Sequence, residues 1–268
     1  MAKRLAVIGL GSMGSAVVRG LLKVKWTTSS HVTGAHPRKE RASELSKGLG
    51  VEVVTDAAKA VAGADVVLLG VKPQILPEVL ETLRGKVKPT QLVISVAAGI
   101  KTSAIEAVLP GVPVVRSMPN LAATVGQGAT AICAGAHATK EHLALARGIF
   151  DAVGAVEEVP EKLMDAVTGL SGTGPMYVFH LVEAMADAGV KVGLSRDVAA
   201  RLALATLIGS AHLARDSHLH AAALKDQVTS PGGTAIAALH VLRREGFQAI
   251  VMDAVEAATK RAQELGQG

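Results

Sequence analysis

The chain has 268 residues, of which 49% are apolar, 19% charged and 2% aromatic. This length suits one large domain or two ordinary ones, and the apolar content excludes a disordered chain. The formal net charge of +5 comes from scattered lysines and arginines rather than from a basic cluster. Because aromatic stacking platforms are also scarce, we expect a small-molecule partner and no nucleic acid.

Cysteine content and hydropathy predict a cytoplasmic protein. The single cysteine, Cys133, excludes an internal disulfide and lies in an apolar run, where a small core residue is expected rather than a nucleophile. The apolar run before Gly11 is too short for a signal peptide. No uninterrupted apolar run of about 18 residues follows it, so no membrane partner is expected. The histidines show no metal-ligand spacing.

Residues 1–160 alternate β-branched runs with helical stretches, a pattern typical of a parallel sheet covered by helices on both faces. The predicted strands are Arg4–Gly9, Val32–Gly34, Val51–Val54, Val66–Val71, Leu92–Val96, Val112–Arg116, Ala129–Ala134 and Ala155–Val159. The predicted helices include Ser15–Lys25, Arg38–Lys47, Leu76–Arg84 and Lys140–Val153. We therefore expect an α/β domain over residues 1–160.

Residues 161–268 show no strand pattern and predict helices interrupted by glycine and proline. Met176–Val190 and Ala199–Leu213 have so little polar surface that they should be buried on most sides. A helical unit of this size cannot bury both by itself, so we expect a subunit interface. Phe247–Leu265 is an ordinary amphipathic helix with one polar stripe.

A glycine-rich turn follows the first predicted strand and opens a helix, as in a dinucleotide-binding site. Its residues are Gly9, Leu10, Gly11, Ser12, Met13 and Gly14. Gly9 permits the tight turn, Gly11 lets the backbone approach a pyrophosphate, and Gly14 lets the helix pack closely on the strand. Amides of this turn would face the phosphate oxygens. A glycine-rich turn without a ligand is the alternative.

The end of the second strand predicts NADPH as the cofactor. An NAD site usually has a carboxylate there to bond the ribose 2′-hydroxyl, but here none precedes Glu40. Arg38 can instead bind a 2′-phosphate through charge-assisted hydrogen bonds, with His36 and Lys39 as weaker candidates. NADH as cofactor, and Arg38 as a solvated residue at a helix start, are the alternatives.

Further cofactor contacts are expected at the carboxyl ends of later strands, where ligands bind in such sheets. The candidates are Val71, Lys72 and Pro73; Ala97, Ala98 and Gly99; and Asn120. The small side chains of Ala97–Gly99 would leave room for a flat ring. Asn120 could bond a carboxamide or the substrate, or could serve only to form a turn.

Two glycine-rich segments in the helical half are candidates for substrate contact. Thr168–Pro175 combines glycines with hydroxyls and indicates a close backbone approach, either to a ligand or to a neighbouring helix. Val228–Thr234 precedes the predicted helix Ala235–Arg244 and offers amides and hydroxyls that suit a carboxylate. A capped helix start is the alternative for this second segment.

These motifs together resemble pyrroline-5-carboxylate reductases over essentially the whole chain. The similar segments are Gly9–Gly14, Val71–Gln74, Arg116–Asn120, Thr168–Gly193 and Leu224–Lys260. The resemblance implies NADPH-dependent reduction of Δ1-pyrroline-5-carboxylate to L-proline by a Rossmann domain and an all-α dimerisation domain. It also implies homodimers with shared active sites, and decamers of five dimers.

The resemblance assigns the substrate carboxylate to one loop, formed by Ser230, Pro231, Gly232, Gly233 and Thr234. Many relatives carry a threonine at the next position, where its hydroxyl can meet the ring nitrogen, whereas this chain has Ala235. Thr234, Thr173 or a water would have to replace that hydroxyl, so these two threonines are the catalytic candidates.

Two other classes of function stay open. A β-hydroxyacid dehydrogenase would share the first glycine motif but needs a catalytic lysine on the helix Met176–Val190, which has none. A non-enzymatic NADP-sensing module would not need residues 230–234. Within the reductase prediction, a protonated imine is already electrophilic and needs no metal, and a six-membered cyclic imine would make similar contacts.

Overall fold

The computed structural model describes residues 3–266 and contains an eight-stranded sheet of order β3-β2-β1-β4-β5-β6-β7-β8. The strands are β1 (Leu5–Ile8), β2 (Val32–Ala35), β3 (Glu52–Val54), β4 (Val66–Leu69), β5 (Leu92–Ser95), β6 (Val114–Met118), β7 (Gly128–Ala134) and β8 (Gly154–Glu158). Every predicted strand is confirmed, with its ends displaced by no more than two residues.

Helices follow most of the strands and then form the remainder of the chain. They are α1 (Ser12–Lys23), α2 (Lys39–Leu49), α3 (Ala57–Val61), α4 (Leu76–Leu83), α5 (Thr102–Val108), α6 (Lys140–Phe150), α7 (Met164–Val167), α8 (Gly174–Lys191), α9 (Arg196–Ser217), α10 (Ala221–Gln227), α11 (Thr234–Arg244) and α12 (Phe247–Leu265). The short helices α3, α5, α7 and α10 were not predicted, because so few residues show no clear helical period.

The sequence predicted a parallel sheet, but the observed sheet is mixed. Strands β1 to β6 pair in parallel, β7 runs antiparallel to β6, and β8 is parallel to β7. Only residues 119–127 join β6 to β7. This connection is too short for the crossover that a parallel neighbour requires, so the chain turns back instead.

Alternating side chains of the strands supply a core on each face of the sheet. In β1, Leu5 and Val7 belong to one core, which includes the fully buried Phe150 of α6. Ala6 and Ile8 belong to the other core, under α4 and α5. All four residues of β1 are buried, so this strand carries the glycine-rich turn at its end on a rigid support.

The described residues form two compact units, one from residues 3–173 with 257–266 and one from Gly174–Glu256. The strands end just before residue 160, where the sequence predicted a domain boundary, but the first compact unit continues to Thr173. The division of the chain at residues 160 and 161 into functional domains stays a prediction.

The second unit has very little interior of its own. Its α8 and α9 pack against each other through small residues such as Gly189 and Ala199. Within residues 174–256 the buried residues are Ala186, Ala199 and Ala203. Large apolar side chains are exposed instead, among them Phe179, Val192, Leu202, Ile208, Ile250 and Met252. The burial predicted for α8 and α9 is therefore absent within one chain, and an apolar surface is left uncovered.

In the part of the chain that the structure describes, α9 is the one helix long and apolar enough to cross a membrane by length and composition. Arg201 interrupts this helix, so it is not an uninterrupted apolar run of about 18 residues, the pattern expected of a membrane span in the sequence. Only 11% of its most apolar stretch is buried, so α9 contributes strongly to the uncovered surface.

Candidate active site

Two glycines of the turn after β1, Gly9 and Gly14, could not be replaced by another residue without displacing neighbouring atoms. Gly9 has a φ of +94°, and a Cβ there would lie 2.7 Å from Cγ1 of Val71. A Cβ on Gly14 would run into the carbonyl oxygen of Gly9. These contacts agree with the predicted roles of Gly9 in the tight turn and of Gly14 in the packing of α1 against the strand.

Gly11 differs from its two neighbours in the motif because the space beside it is open. A Cβ built on Gly11 would meet nothing within 4 Å, so packing within the chain does not require glycine here. Gly11 is the N-cap of α1 and makes no side-chain capping bond, and the first turn of α1 contains no acidic residue. The exposed Ser12 and half-buried Met13 follow it. This open helix N-terminus suits a phosphate group.

A cleft of about 830 Å³ lies beside this turn, between the carboxyl ends of β1, β2 and β4. Its lining residues that the sequence had singled out are Gly9, Gly11, His36, Arg38, Val71 and Lys72. The strand order reverses between β1 and β4, which is the point where dinucleotides bind in such sheets. The structure thus brings the phosphate turn and the basic end of β2 to one cleft.

Arg38 is exposed in this cleft, and among the described residues its guanidinium has no carboxylate partner. The backbone amide of Arg38 donates to Nδ1 of His36 over 3.3 Å, which fixes the turn after β2. Arg41, one helical turn later, lines the cleft as well and is paired with the exposed Glu44 over 2.8 Å. The local charge at the end of β2 therefore favours an anionic group.

Several cleft residues were not identified from the sequence. They include Arg41, Thr55, Asp56, Ile75, Glu78, Val79 and Thr82. Thr55 and Asp56 could have been identified from their position directly after β3, because the loops at the carboxyl ends of neighbouring strands meet. The carboxylate of Asp56 accepts from the amide of Ala58 over 2.9 Å and so caps α3.

The remaining cofactor candidates lie at the carboxyl ends of β4, β5 and β6. Pro73 follows Lys72 after β4, and Ala97, Ala98 and Gly99 follow β5. Their cofactor contacts stay predictions.

Asn120 follows β6 and makes two hydrogen bonds within the chain. Its side-chain amide donates to the carbonyl of Ser171 over 3.1 Å, and its side-chain oxygen accepts from the amide of Ala129 over 3.2 Å. These bonds give Asn120 a positioning role in the chain itself.

The glycine-rich segment before α8 is helical, not a break as predicted. Thr168–Gly172 forms a π-helical turn after α7. The hydroxyl of Thr173 donates to the carbonyl of Thr168 over 3.0 Å, so the hydroxyl serves the backbone of this turn. A Cβ on Gly172 would lie 2.6 Å from Cε of Met118, which supports a close approach to a neighbouring side chain as the reason for glycine here.

The second glycine-rich segment is a loop that leads into α11, which begins at Thr234. Gly232 has a φ of +67°, and the amide of Gly233 donates to the carbonyl of Ser230 over 3.1 Å. Gly233 is the N-cap of α11 without a side-chain capping bond, so the capped start considered from the sequence is not observed. Ser230, Pro231 and Thr234 are exposed. The loop presents open amides and hydroxyls at a helix N-terminus.

Cys133 is buried in β7 opposite Arg116 of β6, as expected for a core residue. Burial raises the pKa of the Cys133 thiol to about 12, with a further contribution from the negative charge of Glu161. The thiolate that a nucleophile requires is therefore scarce near neutral pH. Among the described residues, no group of three His, Cys, Asp or Glu side chains could hold a metal ion.

Comparison with known proteins covers both halves of the chain. A family model described as pyrroline-5-carboxylate reductase dimerisation matches residues 161–265, and one described as NADP oxidoreductase, coenzyme F420-dependent, matches residues 4–99. The pyrroline-5-carboxylate reductase of Methanosarcina acetivorans is 44% identical over 266 residues, which cover 99% of this chain and 98% of that protein.

Solved structures agree with these matches. The pyrroline-5-carboxylate reductase of Coxiella burnetii superposes with a TM-score of 0.94 at 32% identity, covering 99% of each chain. The Plasmodium falciparum pyrroline carboxylate reductase, solved with NADP bound, has a TM-score of 0.87 at 30% identity and covers 98% of each chain. The chain belongs to the pyrroline-5-carboxylate reductase family.

Proposed function

We propose that the protein reduces Δ1-pyrroline-5-carboxylate to L-proline with NADPH, the last step of proline biosynthesis. The observation that carries this proposal is the pair of open helix N-termini, at Gly11 and at Gly233, on a chain of this family. One suits the diphosphate of a dinucleotide and the other a carboxylate. The two helix starts therefore match the two anionic groups of the reactants.

The residues of the cleft fit NADPH. The open space beside Gly11 leaves room for the pyrophosphate, and Arg38 offers a guanidinium to a 2′-phosphate. The side chain of Asp56 is engaged as the cap of α3, and no carboxylate follows β2 before Glu40 to bond a ribose 2′-hydroxyl. These features favour NADPH, with NADH as the secondary cofactor.

The substrate would be held by the loop of Ser230, Pro231, Gly232, Gly233 and Thr234. Its amides and hydroxyls would orient the ring by binding the carboxylate. At the next position Ala235 offers no hydroxyl, so we assign the ring nitrogen contact to Thr234, the first residue of α11. Thr173 is the second candidate, although its hydroxyl already donates within the chain.

The chemistry requires little of the side chains. When bound, NADPH supplies the hydride that reduces the C=N bond. The protonated nitrogen of the imine accepts the electron pair of that bond, so the ring becomes a secondary amine and no base, metal or covalent intermediate is needed. The chain contributes alignment: it holds the carboxylate at one helix start and excludes other orientations of the ring.

The uncovered apolar surface of residues 174–256 supports a homodimer. Exposed side chains such as Phe179 and Ile250 would be covered by a second copy of the same helices, and the family model that matches this range describes dimerisation. We propose that each active site combines the cofactor cleft of one protomer with the loop 230–234 of its partner, and that dimers assemble further into decamers. We further propose a cytoplasmic location, with α9 covered by protein rather than lipid.

A substrate panel tests this function. NADPH oxidation would be followed with Δ1-pyrroline-5-carboxylate, with a six-membered cyclic imine carboxylate, and with a β-hydroxyacid or its ketone. We expect the five-membered imine to give the highest kcat/KM. The β-hydroxyacid alternative is not favoured, because in α8 a lysine occurs only at the last residue, Lys191. No turnover with either imine would contradict the proposal.

A further inference from the structure

The loop between β5 and α5 is anchored at both of its ends. At its start, the amide of Ala97 donates to Oγ of the fully buried Ser95 over 3.2 Å. At its end, the amide and hydroxyl of Thr102 donate to the carboxylate of Glu161 over 2.7 and 2.9 Å. These bonds fix where the loop leaves the sheet and where it enters α5, but they do not fix its middle, at Gly99.

The chain segment just after α12 contacts the middle of this loop. A Cβ on Gly99 would lie 3.4 Å from both the nitrogen and the Cα of Gly266, and a Cβ on Gly266 would lie 2.8 Å from the carbonyl oxygen of Gly99. The two backbones therefore meet with no side chain between them. Gly266 is itself held, since its amide donates to the carbonyl of the buried Ala262 over 3.1 Å.

The position of this loop matters because of its place in the sheet. Arg38 lies at the end of β2, so the adenosine half of a dinucleotide would occupy that side of β1. The other half would then extend past the ends of β4 and β5, toward Ala97–Gly99. Gly99 has a φ of +76°, a conformation that other residues rarely adopt, so the shape of the loop is tightly specified.

We propose that Gly266 is a positioning residue for hydride transfer, because its backbone sets the position of the Ala97–Gly99 loop against which the nicotinamide ring would lie. This inference rests on the proposed function. Most expected cofactor contacts lie elsewhere, at Gly9–Gly14 and Arg38, so a displaced loop should affect the rate of transfer more than cofactor affinity. Misplacement by about 1 Å can cost a reaction on the order of 100-fold in rate.

The test compares Gly266→Ala and Gly266→Val with matched changes at Gly48. A Cβ on Gly48 in α2 would meet nothing within 4 Å, so Gly48→Ala and Gly48→Val control for the added side chain. Three quantities would be measured: the single-turnover rate with NADPH and with NADPH deuterated at the transferred position, the Kd for NADPH, and hydrogen exchange of residues 96–101 in cofactor-free protein.

For Gly266→Val we expect a single-turnover rate lower by roughly tenfold, with a clear deuterium isotope effect, and a smaller loss for Gly266→Ala. Exchange in residues 96–101 should accelerate, while the Kd for NADPH should stay within about twofold of the wild-type value. Both Gly48 variants should match the wild type.

If the wild type is active but Gly266→Val has an unchanged single-turnover rate and unchanged hydrogen exchange, this inference is overturned and the proposed function is not. It is also overturned by a loss of rate that Gly48→Val shares, or by one that weaker NADPH binding fully explains. A wild-type protein that oxidises no NADPH with the imine would instead overturn the proposed function.

Discussion

The guanidinium of Arg116 lies 3.2 Å from the carboxylate of Asp165 and 3.7 Å from that of Glu161, although Arg116 is only 3% exposed. Arg116 belongs to β6, whereas both carboxylates follow β8 in the chain. A charge buried this deeply is tolerated only with ionic partners. The pairs therefore fasten the start of the helical part of the chain to the sheet.

Asp165→Ala should lower the free energy of unfolding by about 3 kcal/mol, because it removes the nearer partner of a buried charge. The matched control is Glu44→Ala, which breaks the exposed pair with Arg41 and should cost less than about 1 kcal/mol. Urea denaturation at one fixed protein concentration measures both. Equal losses for the two variants would show that burial of Arg116 does not matter.

Two substitutions in the glycine motif should have different effects. Gly14→Val should disturb packing, and Gly11→Val should disturb ligand contact. A side chain on Gly14 would collide with the carbonyl of Gly9, so we expect a stability loss of about 3 kcal/mol. A side chain on Gly11 meets open space, so the fold should change by no more than about 1 kcal/mol while the Kd for NADPH rises by roughly tenfold or more. Thermal unfolding and NADPH fluorescence titration are the two measurements. A stable Gly14→Val protein, or unchanged NADPH binding by Gly11→Val, would contradict these assignments.

Arg38→Ala should weaken NADPH binding far more than NADH binding. Loss of charge-assisted bonds to the 2′-phosphate, worth about 1.5–3 kcal/mol, predicts a roughly 10- to 100-fold rise in KM for NADPH. Arg19→Ala, which changes an exposed arginine of α1 that does not line the cleft, is the control. Parallel losses with both cofactors would refute the assignment of Arg38.

Gly233→Val should weaken substrate binding and leave cofactor binding unchanged. A Cβ at this helix start would crowd Ser230 and obstruct the open amides of the loop. We expect the KM for the imine to rise by roughly tenfold or more, with the Kd for NADPH unchanged. An unaltered imine KM would remove the loop 230–234 from the active site.

Local sequence patterns predicted the parts of the fold that depend on interactions between residues close together in the sequence. Buried strands such as β1 could be predicted because strand burial requires a run of apolar residues. The turn of Gly9, Gly11 and Gly14 could be predicted because a close backbone approach requires glycine at a fixed spacing. The ends of elements were less predictable. Thr168–Gly172 continues α7 as a π-helical turn, which the pattern of glycines and hydroxyls in this segment does not predict.

Features that depend on contacts distant in sequence could not be predicted. The engagement of Asn120 with Ser171 and the contact of Gly266 with Gly99 join segments that share no periodicity. The sequence did indicate that α8 and α9 lack polar surface, but whether a single chain covers them depends on the whole fold. The structure leaves them exposed, so what the hydropathy pattern identified was a surface for a partner.

Transfer of one deuteride tests the central claim most directly. The protein would be incubated with Δ1-pyrroline-5-carboxylate and NADPH deuterated at the transferred position of C4, and the product would be analysed by mass spectrometry and NMR. The account predicts L-proline carrying one deuterium, at the ring carbon that was the imine carbon. Proline without deuterium, or oxidation of the cofactor without formation of proline, would contradict it.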